Sequence, residues 1–180
     1  MNRCSWVNLD NEKYVEYHDN EWGVLRCDDR YLFEMLILEG FQAGLSWKCI
    51  LNKREAFRRA FDNFDPVKVS CYDEDKFNSL INNKDIVRNK LKIRASINNA
   101  RIFLNIVDEY NNFYNYLKSF TNGKIIKNND DKFKTTSDLS DRISADLKRR
   151  GMKFVGSTII YSYLQAVGII DDHEMDCYKY

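Results

Sequence analysis

The chain has 180 residues, of which 44% are hydrophobic and one is proline, and its formal net charge is +1. A chain of this length buries about 70% of the surface that its unfolded form exposes, which excludes a disordered or collagen-like protein. No apolar run reaches the roughly 18–20 residues of a membrane span, and the first residues lack the basic and apolar regions of a signal peptide. We therefore expect one domain, residues 1–180, in the cytoplasm.

Apolar residues recur at helical spacing along almost the whole chain, and no sustained alternation typical of strands is found, so the sequence predicts an all-α fold. The first helix in this pattern is YLFEMLILE, with Asp28 or Asp29 as its N-cap and a break at residues 40–44. A second helix is expected over residues 47–62, with Arg54 among the basic side chains on its outward face.

The helical pattern continues through the rest of the chain. Asp65 places a capping carboxylate before Pro66, whose fixed φ suits the first turn of a short helix. The polar run at residues 121–136 has no clear period, so an exposed excursion is expected there. Ser140 and Ser157 are each expected to cap a helix. The later helices are expected at residues 75–82, 88–109, 112–120, 141–150 and 158–167.

Two segments carry a local excess of positive charge although the whole chain is nearly neutral. Residues 84–101 hold six basic side chains and one acidic side chain, and residues 142–153 hold five and one. Such segments are typical either of solvated helix faces or of a surface that contacts phosphates, and the sequence leaves both interpretations open.

The two histidines of the chain, His18 and His173, lie near its opposite ends. His173 and Cys177 are four residues apart, so on a helical turn both side chains project from one face. Together with Cys4 and His18 they would complete the tetrahedral set that holds a structural Zn²⁺, and this closed set leaves no position for a reactive water. The alternative is an ordinary surface histidine beside a half-buried cysteine.

Five aromatic residues crowd the N-terminal quarter of the chain: Trp6, Tyr14, Tyr17, Trp22 and Trp47. Glu39 ends an apolar helix nearby, and a glutamate on an inward stripe normally has a cationic partner or a function. Aromatic faces around one carboxylate form a receptor for a flat cation. The turn after Glu39 exposes Gln42 and Leu45, which suits wedging between base pairs. Ordinary core packing of the aromatic residues is the alternative interpretation.

Several motifs together resemble a known family. They are MNRCSWV, YHDNEWG, LFEMLILEGFQAGLSW, FDPVKV, LKRRGMKFVGST and the closing DDH with Cys177. They span the chain from end to end and resemble the DNA-3-methyladenine glycosylase I family of bacterial repair enzymes. The resemblance implies a helix-hairpin-helix DNA glycosylase fold, with a zinc site joining the N- and C-terminal segments. It also implies hydrolysis of the N-glycosidic bond of 3-methyladenine in double-stranded DNA, which releases the base and leaves an abasic site.

The resemblance also implies roles for individual residues. The residues that match its structural zinc ligands are Cys4, His18, His173 and Cys177. The flipped base is held by Glu39, the catalytic residue, between Tyr17 and Trp47, in a pocket also lined by Tyr14, Trp6 and Trp22. The residues expected to contact DNA are Gln42, Gly44 and Leu45 on an intercalating turn, Arg88 and Lys92 at a hairpin within KDIVRNKLKI, and Lys153, Ser157 and Thr158 near a helix start. Asp85 and Leu91 stand where glycines are expected in the hairpin, and Asp85 brings a negative charge near phosphate.

Two other functions are compatible with the same residues. A module that binds alkylated DNA without cleaving it would have the same zinc site, pocket and basic segments. A zinc hydrolase that uses His18 with Glu21 or Glu174 is disfavoured by the closed set of ligands. For the glycosylase we expect a monomer whose partner is DNA containing 3-methyladenine and which contacts no membrane.

Overall fold

Helices form most of the part of the chain that the structure describes. The computed structural model describes residues 1–128 and 134–180, so the stretch 129–133 of the expected excursion lies outside the described residues. The helices are α1 (Glu12–Asn20), α2 (Asp29–Gln42), α3 (Trp47–Ala60), α4 (Pro66–Ser70), α5 (Glu74–Asn82), α6 (Lys90–Tyr110), α7 (Phe113–Thr121), α8 (Asp138–Arg149) and α9 (Ser157–Ala166), with a 3-10 turn at Asp62–Phe64. Two short strands, β1 (Ile126–Lys127) and β2 (Ile170–Asp171), pair in parallel. None of the helices in the described ranges has the length and hydropathy required of a membrane-spanning segment.

The central helix of the fold is α2. All its side chains from residue 32 to residue 41 are buried, because the helix packs against α3, α6, α7 and α9. Asp28 caps its first turn, as the sequence predicts. The break expected at residues 40–44 begins only after Gln42, since Gly40 lies inside the helix. A Cβ at Gly40 would be 3.5 Å from Cβ of Phe154, which is an ordinary van der Waals contact, so the helix does not require a glycine there.

The expected outward position of Arg54 on α3 is wrong. Arg54 is 6% exposed, and its guanidinium group lies between two acidic side chains. Nε donates to Oε1 of Glu34 at 2.6 Å, and Nη1 donates to Oε2 of Glu21 at 2.8 Å. A buried arginine requires such paired partners, which the helical periodicity of α3 alone does not reveal.

Two helix caps differ from the expected ones. Ser137 is the N-cap of α8, and Ser140 is the third helical residue, which completes a capping box. Gly156 precedes α9 as its N-cap, so Ser157 is the first helical residue and no side chain caps this helix. The sequence analysis also missed α1 and the strand pair, which lies partly in the expected excursion. Strands of two residues are too short to produce a periodic pattern.

The turn between α5 and α6 holds the segment expected to contact the DNA backbone. Asp85 lies in this turn and its backbone is not in the left-handed region, and its carbonyl oxygen accepts a hydrogen bond from Nζ of Lys53 at 2.9 Å. Leu91 is in the first turn of α6 and is 72% exposed. Neither position therefore requires the conformational freedom of a glycine.

Candidate active site

A cavity of about 180 Å³ opens between the N-terminal segment, α1, α2, α3 and α9. It is smaller than the roughly 300–1,000 Å³ typical of pockets for drug-sized ligands, which suits a ligand of a single ring system. The residues that line it are Trp6, Tyr14, Tyr17, Trp22, Glu39, Gln42, Trp47, Ser162 and Gln165. The cavity thus brings together Glu39 and all five aromatic residues that the sequence predicts for a pocket.

Two of the aromatic walls come from α1. The side chain of Asn11 caps this helix by accepting a hydrogen bond from the backbone N–H of Tyr14 at 3.2 Å. Tyr14 and Tyr17 are three residues apart and therefore share one face of the helix. Asn11 followed by Glu12 is a helix-start signal that was present in the sequence and could have located α1.

Glu39 is held in the cavity by α2, whose last turn also carries Gln42. The glutamate is 3% exposed, and within residues 1–128 and 134–180 no group forms a hydrogen bond or ion pair with its carboxyl group. Burial raises the pKa of this carboxyl group to about 8. Glu39 is therefore a buried acid that faces a cavity rather than a partner.

The nearby Glu34 shows how the same helix pairs a buried glutamate. Glu34 is 6% exposed, and it accepts hydrogen bonds from Arg54 at 2.6 Å and from Arg58 at 2.9 Å. Because Glu34 and Glu21 both bind Arg54, this arginine does not neutralise Glu39. Of these two buried glutamates of α2, Glu34 has arginine partners and Glu39 has none among the described residues. Glu39 is therefore the candidate for a function in the cavity.

The aromatic rings are adjacent walls and do not form a sandwich. The ring centroids of Tyr17 and Trp47 are 5.4 Å apart and the rings are tilted by 53°. A flat base between two parallel rings would require a separation of about 7 Å, twice the usual carbon contact distance. The expected position of the base between Tyr17 and Trp47 therefore does not fit this arrangement unless the rings move.

Three of the four expected metal ligands form one compact group. The ligand atoms of Cys4, His18 and Cys177 lie within 4.8 Å of one another and all three residues are buried. His173 stands beside this group, with its ring centroid 5.5 Å from that of His18. Nε2 of His173 is buried and has no hydrogen-bond partner among the described residues.

The rings of His18 and His173 each contact an aspartate through Nδ1. Nδ1 of His18 is 2.8 Å from Oδ1 of Asp19, and Nδ1 of His173 is 2.7 Å from Oδ1 of Asp171. Because a carboxylate only accepts, Nδ1 carries the proton in each ring and Nε2 keeps its lone pair. Carboxylates placed behind histidine ligands in this way are typical of zinc sites. The donor set of two thiols and two imidazoles therefore fits Zn²⁺.

The residues expected to contact DNA lie in three places. Gly44 has φ of +79° in the turn after α2, and Leu45 is 40% exposed next to it. Arg88 lies exposed between α5 and α6. Lys153 and Thr158 are exposed around the start of α9, and Ser157 lies between them with its hydroxyl 2.9 Å from Oγ of Ser140.

Lys92 does not have the position of a phosphate contact. It is 7% exposed, and its ammonium group donates to the backbone carbonyl oxygens of Phe41 at 2.7 Å and Ala43 at 2.5 Å. Burial lowers the pKa of this lysine. Lys92 therefore connects the first turn of α6 to the end of α2, and it holds the turn that carries Gly44 and Leu45.

Ser162 and Gln165 line the cavity, but the sequence analysis did not select them. They are three residues apart on α9 and so share one face of that helix. Two polar side chains at this spacing in the otherwise apolar segment TIIYSYLQAV were a signal of the same kind as Glu39 in α2.

Comparisons with known proteins show which proteins this chain is similar to over its length. The family model described as methyladenine glycosylase matches residues 6–180. The chain is 44% identical to DNA-3-methyladenine glycosylase 1 of Escherichia coli (strain K12), covering 100% of this chain and 97% of that protein. It is 38% identical to DNA-3-methyladenine glycosylase of Haemophilus influenzae, covering 97% and 96%. A solved structure of 3-methyladenine DNA glycosylase I from Staphylococcus aureus, which concerns the recognition of 3-methyladenine, matches with a TM-score of 0.93 and 36% identity over 99% of this chain and 96% of that one.

Proposed function

The chain belongs to the methyladenine glycosylase family, and we propose that it hydrolyses the N-glycosidic bond of 3-methyladenine in double-stranded DNA, releasing the base and leaving an abasic site. The observation that carries this proposal is Glu39, a buried carboxyl group without a partner among the described residues, which faces an aromatic cavity. Methylation at N3 gives adenine a positive charge, which aromatic faces and a carboxylate attract. Normal adenine lacks this charge and gains little from the pocket.

The raised pKa of Glu39 means that binding of the base is coupled to the protonation state of this carboxyl group. With a pKa of about 8, the carboxyl group is mostly protonated at pH 7 in the free protein. A cationic base beside it favours the carboxylate, so binding of the lesion is accompanied by release of a proton from Glu39. The pocket thus stays uncharged until a positively charged base enters it.

The lesion itself supplies part of the reactivity. As the glycosidic bond breaks, its electron pair goes to the base, which leaves as neutral 3-methyladenine, while the positive charge passes to the sugar. Water then adds to C1′ of the sugar and loses a proton to solvent, which leaves the neutral abasic site. The protein therefore contributes flipping, orientation and selection of the base more than acid catalysis. Glu39 accepts a hydrogen bond from the base and fixes its orientation.

The base stacks on Trp47 after the rings of Trp47 and Tyr17 have moved apart. Nε1 of Trp47 is buried and has no acceptor among the described residues, so no hydrogen bond in that part of the chain opposes a rotation of the indole. Tyr17 is 2% exposed and stays as the fixed wall. Trp6, Trp22 and Tyr14 close the remaining sides.

Binding to DNA uses the exposed turn after α2 and two groups of backbone amides. Leu45 enters the gap left by the flipped nucleotide and Gln42 lies beside it, as apolar wedges do in other DNA complexes. The α5–turn–α6 unit acts as the helix-hairpin-helix element that contacts the lesion strand, with Arg88 at its turn. The start of α9, at Ser157 and Thr158, offers uncapped N–H groups to a second phosphate, assisted by Lys153.

A structural Zn²⁺ would be held by Cys4, His18, His173 and Cys177. Such an ion would stabilise the fold by joining the two ends of the chain, and it would take no part in the reaction, because a set of four protein ligands leaves no position for water or substrate. The unpartnered Nε2 of His173 supports its assignment as the fourth ligand.

Release of the base from alkylated DNA tests the proposed activity directly. Duplex DNA treated with a methylating agent is incubated with the protein, and free bases are separated by chromatography. We expect release of 3-methyladenine by the natural protein and loss of most of it in Glu39→Gln. Glu34→Gln is the matched control, because Glu34 is equally buried on the same helix but faces Arg54 and Arg58. Binding without release would instead assign the protein as a non-catalytic module for alkylated DNA.

A further inference from the structure

Gln165 is a polar residue of the pocket to which the proposed mechanism gives no role. It lies in the last turn of α9, lines the cavity and is half-buried. The side chain brings an amide group, with one acceptor oxygen and two N–H donors, to a cavity whose other walls are mainly aromatic. If the amide oxygen faces the cavity, a ligand must donate a hydrogen bond to it. If the N–H groups face the cavity, the ligand must accept one.

Asp172 fixes the orientation of this amide. Oδ2 of Asp172 accepts hydrogen bonds from Nε2 of Gln165 at 2.5 Å and from the hydroxyl group of Tyr161 at 3.0 Å. Its other oxygen, Oδ1, accepts from Nδ2 of Asn128 at 2.7 Å. Because a carboxylate offers only acceptors, turning the Gln165 amide over would place two acceptor oxygens against each other. The nitrogen therefore faces Asp172, and the oxygen is the end left for a ligand.

The segment around β1 supports this arrangement. Asn128 follows β1 and its backbone N–H donates to the carbonyl oxygen of Asp171 at 2.9 Å, next to Asp172. Oδ1 of Asn128 in turn accepts from Nζ of Lys134 at 2.6 Å. Asn128 thus holds Asp172 through the carboxylate oxygen that does not bind Gln165, and Lys134 holds Asn128.

We infer that Oε1 of Gln165 accepts a hydrogen bond from the exocyclic amine of the flipped 3-methyladenine and thereby selects it over 3-methylguanine. Within residues 1–128 and 134–180, no group donates to Oε1 of Gln165, so it is available to a ligand. Adenine presents an amine at C6, whereas guanine presents the acceptor O6 there, which would face a second acceptor. Both bases carry the same charge after methylation at N3, so the charge of Glu39 alone does not distinguish them. The C6 amine has two N–H groups, so it can donate one to Glu39 and the other to Oε1 of Gln165. The inference rests on the proposed function and adds to it a preference for 3-methyladenine over 3-methylguanine.

The test compares the release of 3-methyladenine and 3-methylguanine from the same alkylated duplex. In Gln165→Met, which keeps the length of the side chain, we expect the ratio of the two release rates to fall roughly tenfold, the effect of one hydrogen bond lost from a buried donor. Gln42→Met is the matched control, because Gln42 also lines the pocket but is assigned to the DNA gap. It should slow the release of both bases in the same proportion and leave the ratio unchanged.

An unchanged ratio in Gln165→Met, or an equal fall of the ratio in both variants, would overturn the role of Gln165. A measurement on the natural protein is independent of whether the variants fold: free 3-methyladenine should inhibit base release at roughly tenfold lower concentration than free 3-methylguanine. Equal inhibition would also overturn the inference. If the natural protein releases no 3-methyladenine at all, the proposed function fails, which is a result distinct from an unchanged ratio in an active protein.

Discussion

Replacing Glu39 by glutamine should make the protein more stable at alkaline pH while reducing its activity. The carboxyl group has a raised pKa because it is buried without a partner among the described residues. A folded-state pKa above the unfolded value means that the group contributes fully to stability below the unfolded pKa and that this contribution is lost as the pH rises through the folded value. Glutamine has a similar shape and no proton to lose, so the variant lacks this pH dependence.

The magnitude follows from the two pKa values. The ordinary pKa of the carboxyl group is 4.5 and its pKa in the folded protein is about 8. Since one pKa unit corresponds to about 1.4 kcal/mol, complete deprotonation of Glu39 lowers the free energy of unfolding by up to about 5 kcal/mol. The difference in stability between Glu39→Gln and the natural protein should therefore grow between pH 4.5 and pH 8 and level off at higher pH.

Urea unfolding of both proteins from pH 5 to pH 9, followed by tryptophan fluorescence, measures this difference. The free energy of unfolding of Glu39→Gln, minus that of the natural protein, should increase by about 1.4 kcal/mol for each pH unit between pH 5 and pH 8. A difference that is the same at every pH would refute the reasoning, because Glu39 would then be ionised equally in the folded and unfolded chains. A cationic partner of Glu39 would also give a constant difference, because it would lower the folded pKa and the group would be ionised in both states above pH 5.

Two further predictions concern residues outside the pocket. Cys177→Ser should lower the zinc content and the melting temperature together, because it removes one of four metal ligands; a metal-free natural protein of full thermal stability would contradict the zinc site. Lys92→Met should destabilise the protein by about 1.5–3 kcal/mol, since it leaves two carbonyl oxygens at the end of α2 without their charged donor. The same change should weaken DNA binding, because the Gly44–Leu45 turn is no longer held in place. The dependence of DNA affinity on salt, measured by fluorescence anisotropy, should keep its slope in this variant, whereas a slope reduced by about one would place Lys92 on a phosphate.

The helical fold and most of the pocket could be predicted from the sequence because they depend on local patterns and residue types. Apolar spacing located α2, α3 and α6, and the capping residues before α2 and α4 are as expected. The aromatic residues of the N-terminal quarter and Glu39 line one cavity. Strong local signals of this kind survive folding because tertiary packing uses the same apolar faces.

What the sequence analysis missed depends on contacts between distant parts of the chain. Arg54 and Lys92 each look like solvent-exposed basic residues, yet one binds Glu34 and the other binds carbonyl groups 49 and 51 residues away. A helical pattern does not distinguish an exposed lysine from one whose charge is satisfied at the end of another helix. Gln165 is a different case, since its position in an apolar segment was a signal in the sequence, whereas the orientation of its amide depends on the contact with Asp172.

The two ends of the chain are linked to the pocket through the rings of its back wall. Trp6 lies 4.8 Å from Trp22 between ring centroids, and both rings contact the histidines of the cysteine–histidine group: Trp6 is 5.4 Å from His18, and Trp22 is 4.7 Å from His173. Because these rings share edge-to-face contacts, a displacement of either histidine moves a wall of the cavity. A metal ion at this position would therefore stabilise the shape of the base pocket as well as the termini, although it would lie outside the pocket and touch no substrate.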